Sequence, residues 1–232
     1  MKLLFSGYLL LAGICPAQQA PAPDQPRPAA PTQQDLSGSG SRILGAVPGY
    51  GTVEDERQLP PLTSAEKLKL ALHYFDPYTF AFVALQAGIG QAANSQPEYG
   101  QGGEGYGKRY GAYFADGLAN NLFVTGIYPS LLHQDPRYYR RGHGGFMSRT
   151  GYAVGRIFVT RQDSGRTTFN FSEFLGDLTS AGISNAYYPD SERAFGDVGI
   201  RASTQLGFNA AFNVLKEFGP DLTRVFKKKK KD

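Results

Sequence analysis

The chain has few of the residues on which much enzyme chemistry depends. Its 232 residues include one cysteine, Cys15, and three histidines, His73, His133 and His143. If a signal peptide is removed after Ala17, no cysteine remains, which excludes disulfides, thiolate nucleophiles and cysteine-ligated metals. A Ser-His-Asp triad would have to use one of the three histidines, and no Gly-x-Ser-x-Gly motif supplies a nucleophile. We therefore predict no cofactor, and a non-enzymatic protein rather than an enzyme.

The N-terminus lacks an apolar run long enough to span a membrane comfortably. Lys2 precedes the short apolar stretch 3–14, and Cys15-Pro16-Ala17 follows as a small-x-small cleavage site. Residues 1–17 are thus predicted to be a signal peptide. The alternatives are an uncleaved anchor, or a lipoprotein attached at Cys15, which Ile14 disfavours. Export without disulfides predicts the periplasm or outer membrane of a bacterium.

Residues 18–61 have too few apolar side chains for a core. Prolines cluster there among Gln, Ala, Ser and Gly. Such a composition cannot offset the entropy lost on ordering, so we predict a disordered linker. Residues 62–226 remain as one domain, and 227–232 as a basic tail.

Basic residues greatly outnumber acidic ones in two segments, 137–166 and the C-terminal tail. Seven arginines and one acid lie between Arg137 and Arg166, and the formal net charge is +4. We predict anionic lipid or lipopolysaccharide as partner, and no nucleic acid because of export; the alternative is a solvated loop and tail. The candidate anion-binding residues are Arg137, Arg140, Arg141, Lys227, Lys228, Lys229, Lys230 and Lys231.

Small residues recur at a spacing of four, which places them on one helix face. Such faces let helices approach closely, which would offset the cost of helical glycine, and they also favour homo-oligomers. The runs are Ala84/Gly88/Ala92, Gly107/Gly111/Ala115/Ala119, Gly151/Gly155, Gly176/Ser180/Ser184 and Gly199/Ser203/Gly207/Ala211.

The predicted fold is an all-α bundle of five or six helices packed through these small-residue faces. A capping box at Thr63–Glu66 starts the first helix, Asp76-Pro77 starts the second, and Asn170 or Ser172 caps the fifth. The predicted helices cover about 64–75, 77–94, 107–128, 145–161, 172–188 and 191–218, the last ended by Gly219-Pro220.

The segment 152–171 also permits a β-hairpin. Tyr152, Val154, Arg156 and Phe158 alternate with smaller residues, and Thr167, Phe169 and Phe171 alternate beyond Asp163-Ser164-Gly165. A hairpin beside helices is therefore one alternative fold, and an outer-membrane β-barrel is another.

Two segments hold candidate ligand-binding residues. His133, Asp135 and His143 are weak candidates for a metal site, because two imidazoles and a carboxylate can bind zinc but here lie on an irregular loop. Gly102-x-x-x-x-Gly107-Lys108 resembles a phosphate-binding loop but lacks the Ser or Thr that holds magnesium, so residues 100–107 are predicted to be a glycine-rich loop.

The stretch 133–189 resembles a pattern found in a family of uncharacterised exported bacterial envelope proteins. The resemblance covers about a quarter of the chain and implies no activity, cofactor or catalytic residue. It is carried by His133-Gln-Asp-Pro-Arg137-Tyr138, Arg161-x-Asp163-Ser-Gly165, Phe169-Asn170 and Ile183-Ser-Asn-Ala-Tyr187-Tyr188-Pro189.

Two functions remain. The first is a non-enzymatic exported envelope protein, a helical bundle that associates with membrane or with itself. The alternative is a hydrolase of lipid or phosphate esters that uses the 133–143 loop. Helical charges at Asp116, Asp177, Arg156 and Arg201 are expected to be solvated, or to pair inward if the bundle lies in lipid.

Overall fold

The computed structural model describes residues 49–54 and 59–229. The predicted signal peptide, residues 18–48 and 55–58 of the predicted linker, Lys230 and Lys231 lie outside this range, as do the side chains of Lys227–Lys229. The chain is mostly helical with two small sheets. Its elements are β1 (Thr52–Glu54), α1 (Ser64–Leu72), α2 (Pro77–Ala92), α3 (Gly102–Asn121), a π-helical segment (Leu122–Ile127), α4 (Tyr128–Leu131), β2 (Gln134–Asp135), β3 (Tyr138–Arg140), α5 (Phe146–Gly155), β4 (Val159–Gln162), β5 (Thr167–Phe169), α6 (Phe171–Ser184) and α7 (Phe195–Lys229).

Three helices begin at the predicted caps. Thr63 and Glu66 form the reciprocal capping box of α1, and the Asp76 carboxylate accepts from the Tyr78 N–H at the start of α2. The Asn170 side chain accepts from the Glu173 N–H and caps α6. Local side-chain to backbone hydrogen bonds therefore fix these starts.

The prediction of a glycine-rich loop over 100–107 is wrong, because α3 already begins at Gly102. The first turn of α3 is held by Arg109, a fully buried side chain that donates to the carbonyls of Ser95, Gln96 and Gly100. These bonds offset the low helix propensity of the glycines.

The predicted end of the third helix before Pro129 is also wrong. The helix continues through the π-helical segment, where the Tyr128 N–H donates to the Phe123 carbonyl, and then through α4 to Leu131. Pro129 comes directly after this π-type hydrogen bond, at one of the first positions of α4, and does not end the helix.

The β-strands correct two further predictions. Strand β1 pairs in parallel with β3, Val53 opposite Tyr139, so residues 52–54 belong to the fold and not to a disordered linker. Strand β4 lies antiparallel between β2 and β5. The segment therefore contains a β-hairpin, as the alternative predicted, although the hairpin begins only at Val159. The helix predicted over 145–161 is too long, because α5 ends at Gly155.

The final helix does not stop at Gly219-Pro220. Helix α7 runs through Pro220 to Lys229 and packs against both α6 and α5. A proline inside a helix usually destabilises it by about 3 kcal/mol. Packing of α7 along its length outweighs this loss.

Close helix packing involves several glycines, but few of those in the predicted small-residue runs. A Cβ added to Gly176 of α6 would lie 2.5 Å from Val124 Cγ2, and Gly117 of α3 packs on the Tyr74 hydroxyl. Of the glycines in the predicted runs, only Gly176 is closely packed. A Cβ would meet nothing within 4 Å at Gly88, Gly107, Gly111, Gly151, Gly155, Gly199 or Gly207.

Candidate functional site

The candidate loop 133–143 is organised around one saturated carboxylate. Asp135, 4% exposed, accepts from the backbone N–H and guanidinium of Arg137 and from the Tyr139 hydroxyl at 2.7 Å. Arg137 in turn donates to the Pro60 carbonyl at 2.8 Å, and Arg161 stacks on the Tyr139 ring. Because its oxygens are occupied, Asp135 serves to position the loop.

A second buried ion pair lies beside this loop. The Lys67 ammonium of α1 contacts the Asp163 carboxylate at 2.7 Å and donates to the Pro129 carbonyl at 3.1 Å. His133 lies on the outer side of Asp163, with its Nδ1 3.9 Å away and its side chain mostly exposed. The pair joins α1, α4 and the β4–β5 turn.

Glu217 of α7 forms a third buried centre, which sequence reasoning missed. Its carboxylate accepts from the Tyr138 hydroxyl, the N–H groups of Arg141 and Gly142, and Arg149 Nε, at 2.9–3.0 Å. Arg149 also pairs with Asp221 one turn further along α7. The carboxylate therefore joins α7 to β3, α5 and the end of the candidate loop.

The predicted site residues differ in burial and in the partners they bind. Arg137 is 2% exposed and bound to Asp135, so it is not available to an external anion. Arg140 and Arg141 are half-buried, and Arg141 donates to the Ser148 hydroxyl. The weak metal candidates do not assemble: within residues 49–54 and 59–229, no group of three or more His, Cys, Asp or Glu residues could hold a metal ion.

The interface of α3 and α6 is polar. Asp116 of α3 accepts from the hydroxyls of Ser184, Tyr187 and Tyr188 at 2.5–2.6 Å. Further along, the Asn120 amide donates to Asp177. Asp116 and Asp177 thus point inward and are bound by hydroxyl and amide groups, contrary to the expectation that they are solvated.

Helix α6 is inverted with respect to an ordinary surface helix. Its buried positions carry the small or polar residues Ser172, Glu173, Gly176, Asp177, Ser180, Ala181 and Ser184. Its outer side carries Phe171, Leu175, Leu178 and Ile183, each 40–52% exposed. We call these four residues the α6 apolar stripe. In a soluble helix the apolar side faces the core.

Helix α2 also has an apolar exterior. No charged residue occurs in its 16 positions, and it buries only Val83, Ala87 and Gly90. Leu85 and Ile89 are 60% and 61% exposed, and Tyr78, Phe80 and Phe82 are exposed beside them. In the described part of the chain, no helix combines the length and apolar character needed to cross a bilayer.

A shallow groove of about 290 Å³ lies where residue 50 meets the α1–α2 connection. The Tyr50 hydroxyl donates to Asp76 at 2.6 Å, and its ring lies against His73. Since Asp76 already caps α2, its carboxylate serves the fold here.

Comparison with known proteins does not assign the chain to a family. No protein-family profile, no curated protein and no solved structure matches the chain.

Proposed function

We propose that this chain is a non-enzymatic envelope protein, exported to the periplasm or outer membrane of a bacterium, that binds the membrane surface through the outer sides of α6 and α2. The observation that carries the proposal is the inverted α6, with carboxylates inside and the apolar stripe outside. Removing a large apolar side chain from water is worth about 1.5–3 kcal/mol. An apolar covering for these faces is therefore favoured.

A lipid covering fits these faces for two reasons. The exposed side chains occur on more than one helix, and α2 has no charged group to desolvate. Helices of this kind lie in the plane of the interface with their apolar side in the acyl region. Self-association of the bundle through the same faces is the alternative.

We propose that the resemblance over 133–189 reflects membership of the exported envelope family. Its marked residues hold the fold: Asp135 binds Arg137, Asp163 binds Lys67, and Asn170 caps α6. We propose that the family shares this architecture and not a catalytic site.

The decisive experiment is flotation of the purified chain with vesicles of neutral and anionic lipid. Leu175→Asn combined with Leu178→Asn should reduce binding to both lipid types at least tenfold while the thermal midpoint stays within a few degrees, because both side chains are exposed. Met147→Asn is the matched control, since Met147 is 77% exposed on α5, outside both apolar faces. Equal binding of the double variant and the wild type would overturn the proposal.

Light scattering without lipid separates self-association from membrane binding. A monomer that floats with vesicles supports the lipid covering. A stable oligomer that dissociates in the double variant and does not float supports the alternative.

The basic tail is proposed to add an electrostatic contribution. Lys227–Lys231 come directly after Phe226 in the sequence, and each cation near an anionic surface contributes about 1 kcal/mol. Deleting the five lysines should weaken binding to anionic vesicles and flatten its salt dependence, but leave binding to neutral vesicles unchanged. An unaltered salt dependence would contradict this part of the proposal.

A further inference from the structure

Two carboxylates lie one helical turn apart inside the junction of α3, α6 and α7. Glu173 and Asp177, both on α6, are 8% and 1% exposed. Because residues four apart share a helix face, both side chains enter the same buried region. The membrane proposal uses the orientation of α6 that buries these carboxylates but gives them no role of their own, and the role argued here does not depend on membrane binding.

Each carboxylate has one bound oxygen and one buried oxygen without a hydrogen-bond partner. Asp177 Oδ1 accepts from the amides of Asn120 on α3 and Asn209 on α7, whereas Oδ2 has no partner. Glu173 Oε2 accepts weakly from the Asn170 amide at 3.5 Å, whereas Oε1 has none. A buried carboxylate oxygen without a donor is costly, and protonation removes much of that cost.

The charges that face the pair do not neutralise it. On α7, Lys216 interacts with Glu173, and burial lowers the pKa of Lys216. The residues that α3 and the α6 cap contribute, Asn120 and Asn170, are neutral. The Asn209 amide of α7 acts on Glu173 as well as on Asp177 and is neutral too, and the Tyr128 hydroxyl of α4 hydrogen-bonds to Thr179 of α6. Two carboxylates against one ammonium leave one negative charge in excess.

We propose that Glu173 and Asp177 form a proton-binding site that takes up one proton near neutral pH, and that this proton holds α6 against α3 and α7. When the proton leaves, two like charges share a region with little water, and the junction loosens. The ligand is the proton itself, and the site reports the acidity of the compartment around the protein.

The direction of the titration agrees with this geometry. Burial raises the pKa of Asp177 to about 8, with a further increase from Glu173, and burial raises the pKa of Glu173 to about 7. In the unfolded chain both groups return to ordinary acidic values, so the folded state binds the extra proton at intermediate pH. The stabilisation is complete in acid and is lost as pH rises through the folded-state values.

The test is thermal unfolding of the full chain from about pH 5 to about pH 9. The difference in midpoint between Asp177→Asn and wild type should move in favour of the variant as pH rises, because Asn cannot ionise. Glu173→Gln should behave in the same way. Glu104→Gln is the control, since Glu104 is an exposed α3 residue paired with Lys108, and its difference should stay constant with pH. Parallel curves for all four proteins would overturn the proposal.

Infrared difference spectroscopy keeps the proposal testable if the variants do not fold. Wild-type protein near neutral pH should show the band of a protonated carboxyl that disappears at alkaline pH. Absence of that band would overturn the proposal. Repeating the melts with calcium or magnesium adds a second check: a metal-dependent rise in midpoint that abolishes the pH dependence would make the pair a cation site instead.

Discussion

The Tyr138 hydroxyl donates to Glu217 Oε2 at 2.9 Å, and this bond joins strand β3 to the long helix α7. Both side chains are buried, and burial, together with the negative charge of Glu217, raises the pKa of Tyr138. The same carboxylate accepts from two backbone N–H groups and from Arg149. One side chain therefore fixes the C-terminal half of α7 against the loop that the sequence singled out.

Glu217→Leu should destabilise the domain far more than Tyr138→Phe. Leucine leaves two N–H groups and part of the Arg149 guanidinium without an acceptor, and breaking a buried ion pair costs about 3–5 kcal/mol. Tyr138→Phe removes one hydrogen bond to a charged group, worth about 1.5–3 kcal/mol. Urea unfolding of both variants measures the two losses. A larger loss in Tyr138→Phe would contradict the central place of Glu217.

Gly176→Ala and Gly207→Ala should shift stability in opposite directions. A Cβ at residue 176 would lie 2.5 Å from Val124 Cγ2 and 3.0 Å from the Val124 backbone nitrogen, so α6 must move. Overpacking of this kind costs about 1–3 kcal/mol. At residue 207 nothing lies within 4 Å, and alanine gains up to about 1 kcal/mol of helix propensity. Thermal melts measure the sign of both changes. A destabilised Gly207→Ala would contradict the open space at this residue and support the predicted close packing of that helix face.

Arg137→Gln should act on folding, whereas Arg141→Gln should act on lipid binding. Arg137 binds Asp135 and the Pro60 carbonyl in the interior, and its loss leaves a buried carboxylate with fewer donors. Arg141 is half-buried and donates to Ser148 near the surface. Unfolding curves together with flotation on anionic vesicles separate the two effects. Unchanged stability of Arg137→Gln would contradict a structural role for the contacts of Arg137 with Asp135 and the Pro60 carbonyl.

Helix starts could be predicted from the sequence because their cause is local. Thr63, Asp76 and Asn170 bond to backbone groups two or three residues away, and all three caps are present. Helix ends and interruptions depended on distant groups. The glycines before Gly107 are helical because the buried Arg109 collects carbonyls from the preceding connection, and no local pattern signals that.

The buried carboxylates were missed for a related reason. Charged residues on amphipathic helices are usually solvated, and the sequence predicts this for Asp177. In the structure Asp177 is 1% exposed, on the face that also buries Gly176, Ser180 and Ser184. The sequence did contain a signal: Glu173 and Asp177 share a helix face with small residues, and leucines occupy the opposite face. Small side chains rarely form the outer side of such a helix.

The π-helical segment gives the continuous helical run of α3 and α4 two different phases. A π turn holds one residue more than an α turn, so α4 is rotated relative to α3 by the angle of one residue, about 100°. Upstream, Asn120 faces Asp177 of α6. Near the end of the segment Gly126 lies against Ala71 of α1, and downstream the Pro129 carbonyl meets Lys67. Losing a single codon between 122 and 127 would restore an uninterrupted α-helix and put these two sets of contacts out of phase, so this stretch should tolerate substitutions far better than changes of length.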